Sequence, residues 1–177
     1  MTVMATICAA AALLLVWSGA EHLRHPAALG RVLAGSGGRL AAPAARTVAV
    51  AELLAGVATI GSLLAGIPGQ GWALTAQGLL YAGFTASLWT RYRRGDRTDC
   101  GCTAVASVVG PAGVARAAGL AVASLATAAA GTVPTAPAAG TAWLVLLATG
   151  AGVMAVLLHA LPAAIDGLPA GDPGTPA

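Results

Sequence analysis

The chain has 177 residues, of which 58% are hydrophobic and 8% charged, with a net charge of +3. A soluble domain carries about 25% charged residues, and a chain this short has no core able to bury so much apolar surface, so the excess must face lipid. The charge is too small to suggest nucleic-acid binding, and three cysteines are too few for a secreted disulfide framework. The composition therefore points to an all-α, polytopic membrane protein with four or five short spans and little folded outside the bilayer. Lysine is absent and every cation is an arginine, the bias of a GC-rich bacterial genome.

A span needs about 20 mostly apolar residues. Residues 2–20 qualify and carry Trp17 near their end. They lack the positive n-region of a signal peptide, since the first charge is Glu21, and so they read as an uncleaved anchor helix. Residues 21–46 form a polar connection, with Pro26 and the glycines 35, 37 and 38 breaking it and a short interfacial helix expected over 26–34. The second span is expected over 47–67. An uncharged turn follows at Pro68-Gly69-Gln70-Gly71, and the third span, over 72–90, is bracketed by Trp72 and Trp89. Residues 91–103 are the second charged loop. Pro111 suits a first helical position, so the fourth span runs over about 111–130. After an uncharged Pro/Gly/Thr turn the fifth span occupies 141–161, and the tail from Pro162 reads as disordered.

Charge placement sets an orientation. The loops 21–46 and 91–103 carry four arginines each, and the two turns on the other side carry none. The positive-inside rule then places both charged loops in the cytoplasm and the N-terminus outside, in a bacterial plasma membrane.

Two ionisable groups fall inside spans. Glu52 lies about six residues into the second span and Arg116 about five into the fourth, so at ~1.5 Å per residue both sit roughly 8–9 Å below the same face. An unpaired charge in hydrocarbon costs several kcal/mol, which makes a Glu52–Arg116 pair the economical arrangement. The competing reading has Arg116 snorkelling to headgroups while Glu52 is protonated or meets water.

The chemically distinctive feature is Cys100-Gly101-Cys102. A disulfide across one residue closes a small, strained ring, and strain makes such a bond easily reduced. Arg93, Arg94 and Arg97 stand nearby and favour the thiolate, as would a helix start just beyond Cys102, while Asp96 and Asp99 oppose it. The pair reads as a thiol–disulfide exchange centre facing the reducing compartment, which would make the protein a thiol–disulfide oxidoreductase. Two other readings stay open: structural thiols, and a Cys2His2 metal site completed by His22 and His25. Cys8 reads as a small apolar helix residue and His159 as an interfacial one, so no metal site is assigned.

The run Arg93 to Cys102, Arg-Arg-Gly-Asp-Arg-Thr-Asp-Cys-Gly-Cys, resembles the signature loop of the MauE family, the methylamine utilisation membrane proteins, within a wider set of DoxX-like four-helix membrane proteins. Ser18, Gly19, Ala20, Leu23 and Pro26 at the end of the first span resemble that family too, as do Glu52-Leu-Leu-Ala-Gly and Arg116 after the cysteines. Thr103 and Ala104 depart from the usual Phe-Gly, and His22 stands where lysine is common. The resemblance implies a four-helix core over residues 1–130, with 131–161 an added span and 162–177 a tail. It also implies a role in processing or oxidative folding of a disulfide-rich periplasmic client of the methylamine dehydrogenase type. The exchange partner would be a thioredoxin-like protein or a quinone in the bilayer, with oligomerisation left open. The alternative is a non-catalytic assembly factor or scaffold whose cysteines are structural.

Overall fold

The computed structural model describes residues 2–27, 29–30, 41–65, 71–96, 109–131 and 141–166. Within them lie five long helices and no strand: α1 (Thr2–Arg24), α2 (Ala41–Ala65), α3 (Gly71–Arg93), α4 (Pro111–Ala129) and α5 (Thr141–Asp166). Cross-helix contacts fix the directions. Gly19 lies against Ala49 and Gly56 against Ala12, so α1 and α2 are antiparallel. Gly78 meets Leu125 while Leu88 clusters with Ala117, so α3 and α4 are antiparallel. Gly150 meets Thr6 while His159 meets Trp17, so α5 runs parallel to α1. The result is an up-and-down bundle. The C-terminal ends of α1, α3 and α5 gather with the N-terminal ends of α2 and α4 at one end, hereafter the charged end.

The burial pattern is inverted relative to a soluble protein. The fully buried side chains are mostly small, with Ala5, Ala10, Ala12, Ala45 and Ala49 at 0% exposure, while Leu54, Leu146, Val122 and Val156 are each at least 66% exposed. Water would drive the large apolar groups inward. In lipid that drive is absent, and small residues line helix contacts because they let backbones approach closely. Gly56 shows how closely: a Cβ there would lie 2.7 Å from both the Ala12 carbonyl oxygen and Val16 Cγ2.

Four of the helices, α1, α2, α4 and α5, are long and apolar enough to cross a membrane. The less apolar α3 connects the far end of α2 to the charged end of α4 and must cover the same distance. Its exposed Trp72 and Trp89 are 17 positions apart, or ~26 Å of helix, close to the ~30 Å of hydrocarbon that interfacial tryptophans bracket. Much of its polarity is taken up by hydrogen bonds, although Gln77 Oε1 is buried without a partner. Tyr81 Oη donates to the Ala11 carbonyl at 2.8 Å and Gln77 Nε2 donates to Ser124 Oγ at 3.0 Å. Thr75, Thr85 and Thr90 donate to carbonyls one turn back.

Four helices run longer than the sequence pattern implies: α2 begins at Ala41, six residues ahead of the expected start, and α3 continues three residues past 90 to Arg93. The first helix continues past residue 20 to Arg24, because Glu21, Leu23 and Arg24 favour helix, Glu21 pairs with Arg24 at 3.1 Å, and Pro26 supplies the stop. The fifth continues past residue 161 through Pro162 to Asp166, so residues 162–166 belong to the bundle and not to the tail. Of the interfacial helix expected over 26–34, residues 26–27 and 29–30 are helical, and 31–34 lie outside the described residues.

Candidate functional site

Cys100, Cys102 and Arg97 lie outside the described residues; the chain on either side of their segment is held firmly. Before it, α3 ends in a Schellman cap: Gly95 takes φ 70°, its N–H donates to the Tyr92 carbonyl, and the Asp96 N–H donates to the Arg91 carbonyl. Arg91 Nε donates to Asp96 Oδ2 at 3.0 Å, and the Arg93 guanidinium lies over the Trp89 ring at 5.6 Å. Arg94 is exposed. Beyond the segment, the N-terminus of α4 is capped from 54 residues away: the Ala112 N–H donates to Asp166 Oδ1 and the Gly113 N–H to Asp166 Oδ2, both at 3.2 Å. Gly110 permits this, since a Cβ there would collide with the Asp166 carboxylate. A helix start just beyond Cys102 would lie outside the described residues; α4 itself starts at Pro111, as expected, and its positive end is already engaged by a carboxylate.

Beneath this end, within the bundle, lies a cavity of about 50 Å³ lined by Ser18, His22, Glu52, Arg116 and His159 among aromatic and aliphatic side chains. The expected Glu52–Arg116 bond is replaced by two others. Glu52 is fully buried and its Oε2 accepts from His22 Nδ1 at 2.7 Å, with His22 itself 3% exposed. The continuation of α1 through residue 22 makes this bond available. Gly19 brings α1 against Glu52, where a Cβ would stand 3.1 Å from Glu52 Cβ, and His22 is on the same helix face one turn on.

Arg116 instead donates from Nη1 to the Leu158 carbonyl at 2.8 Å. That acceptor is free because the residue four places on is Pro162, which has no N–H to return to it. One proline thus creates the anchor for an intramembrane arginine. Glu52 and Arg116 still line the same cavity, and Glu52 Oε1 is buried with no hydrogen-bond partner. His159 also lines it and packs on the Trp17 ring at 6.0 Å, so it is part of the site and not merely interfacial.

Sequence reasoning missed His22 as the partner of Glu52 and Asp166 as the cap of α4. The first had a signal, because Ser18, Gly19 and His22 share one face if the helix continues. The second had none, since nothing local relates Asp166 to Ala112. Among the described residues, no three His, Cys, Asp or Glu side chains converge on a point that could hold a metal. Cys8 is buried far from the charged end, beside Thr127 at 3.7 Å.

Comparison with curated proteins and with solved structures gives no match. A family model does match: residues 1–131, which carry α1 to α4 and both sides of the cysteine segment, fit the one described as methylamine utilisation protein MauE. With nearly three quarters of its length matched in this way, the chain belongs to the MauE family of membrane proteins.

Proposed function

We propose that this protein is a thiol–disulfide redox component of the plasma membrane, with Cys100 and Cys102 as its exchange pair, assisting oxidative maturation of a partner protein. The observation that carries the reading is the Cys100-Gly101-Cys102 run itself, set among arginines in a MauE-family chain. Two thiols separated by glycine can close and open a strained ring without other residues, which suits exchange better than storage. The Schellman cap before the segment and the Asp166 cap after it support the reading, because they anchor the two helix ends that the segment joins at the charged end. Arg93 and Arg94, at the start of that segment, supply the positive field that favours a thiolate.

In this scheme the charged end faces the cytoplasm and the N-terminus lies outside. Electrons leave the cysteine pair for a thioredoxin-like protein or for a quinone in the bilayer. The family's description names methylamine utilisation, and the client in this scheme is a disulfide-rich protein of the methylamine dehydrogenase type, as the resemblance implies.

Membrane-impermeant maleimide decides the central point. After reduction it should label Cys100 and Cys102 in inverted vesicles and not in intact cells, and Cys100→Ser should abolish a mixed disulfide with the partner. Full activity of the Cys100→Ser/Cys102→Ser protein would instead favour a scaffold with structural cysteines.

A further inference from the structure

The cavity at the charged end combines a buried acceptor with a cation and an aromatic wall. Glu52 is 0% exposed and one of its oxygens, Oε1, has no partner. Leaving a carboxyl oxygen unbonded in a low-dielectric interior is costly, and here the atom belongs to a side chain that lines an open space. Arg116, also on the wall, has five N–H donors, one of which is placed on the Leu158 carbonyl. Ser18, His22 and His159 add polar groups at this end of the wall, and the other lining side chains are apolar or aromatic, among them Trp17, Tyr81 and Phe84. A ligand that fits would be largely apolar, flat, and tipped by oxygen able both to accept from a guanidinium and to meet a carboxyl group.

We infer that this cavity receives the oxygen-bearing edge of a membrane-dissolved quinone or quinol ring, the electron acceptor of the cysteine pair. The inference rests on the redox reading above. Its size sets the mode of entry. About 50 Å³ is roughly a third of a ~150 Å³ cavity that encloses benzene, so only the ring's edge enters. The rest of the ring lies towards lipid beside Trp17, which lines the cavity and is 63% exposed.

The depth is suitable: Arg116 lies five residues into α4, or ~7.5 Å, within reach of a headgroup carried just below the interface. The reaction balances as two thiols plus quinone giving one disulfide plus quinol. The two electrons pass from sulfur to the ring and its two oxygens each gain a proton. Arg116 stabilises the developing negative oxygen, and the Glu52 carboxyl, hydrogen-bonded to His22, relays a proton to it.

Ring binding is measurable without thiol chemistry. In nanodiscs free of native quinone, protein with Trp72, Trp89 and Trp143 changed to Phe reports on Trp17 alone. Decylubiquinone should quench it saturably, and equally in the Cys100→Ser/Cys102→Ser background, so failure of ring binding and failure of the redox reading are read separately. Glu52→Gln and Arg116→Gln should each weaken the apparent affinity about tenfold. Photo-crosslinking of the unsubstituted protein with an azido-benzoquinone, which needs no variant to fold, should mark α1 near Ser18 or α5 near His159. Quenching that grows linearly with quinone in the membrane, or crosslinks confined to other surfaces, would overturn the inference.

Discussion

The His22–Glu52 bond offers a test with a distinctive energetic shape. His22→Leu leaves Glu52 fully buried with neither oxygen bonded, because Oε1 already lacks a partner and Oε2 loses His22. Removing one member of a buried pair costs about 3–5 kcal/mol, lessened if the carboxyl takes up a proton. Glu52→Leu is milder, since it removes one hydrogen bond from the His22 ring and leaves no buried carboxyl behind, at a cost of about 1–3 kcal/mol. The double variant strands nothing, and replacing a buried pair with apolar groups of similar volume is often close to neutral. The double should therefore be more stable than His22→Leu alone, with a coupling energy of about 2 kcal/mol or more. The assay is SDS-induced unfolding in mixed micelles, followed by tryptophan fluorescence for the four proteins of the cycle. Additivity within ~0.5 kcal/mol would mean that the two side chains do not interact, and the description of the site would then be wrong.

Other substitutions probe the frame around the site. Asp166→Ala removes both acceptors from the N-terminus of α4 and should destabilise the protein by about 1–2 kcal/mol, with hydrogen exchange rising at Ala112 and Gly113; unchanged protection there would show that the cap contributes nothing. Pro162→Ala restores an N–H opposite the Leu158 carbonyl and competes with Arg116 for it, so Arg116 should become more reactive to phenylglyoxal, whereas equal reactivity would dissociate the proline from the arginine's placement. Gly56→Leu forces α1 and α2 apart where a single Cβ would already stand 2.7 Å from backbone, and a loss of about 1–3 kcal/mol or more is expected. The same change at Gly83, where a Cβ meets nothing within 4 Å, should be nearly neutral and serves as its control.

The membrane bundle was legible because its cause is compositional. Long apolar segments in a chain with so few charges have only one stable environment, and the helix is the form that satisfies its own backbone there. The helix pattern was therefore clear even for α3, whose two tryptophans marked its limits before any contact was known. The MauE resemblance was equally a property of the string, because the residues that carry it are short contiguous runs that need no contact to be read. The cysteine pair, too, was read from adjacency alone.

Tertiary structure decided which polar group meets which. Depth matching put Glu52 and Arg116 at one level, and both line one cavity. Depth says nothing of azimuth or of rival partners, however. The bond to His22 depends on α1 persisting beyond residue 20 to Arg24 and on Gly19 allowing α2 close. The Arg116 anchor depends on a carbonyl released by a proline in another helix. Asp166, in a segment that looked like tail, became the cap of α4 because α5 is long enough to carry it to the charged end. Hydrophobicity and helix formation act locally and can be summed along a chain. A buried hydrogen bond joins two points that only the packing of the whole bundle brings together.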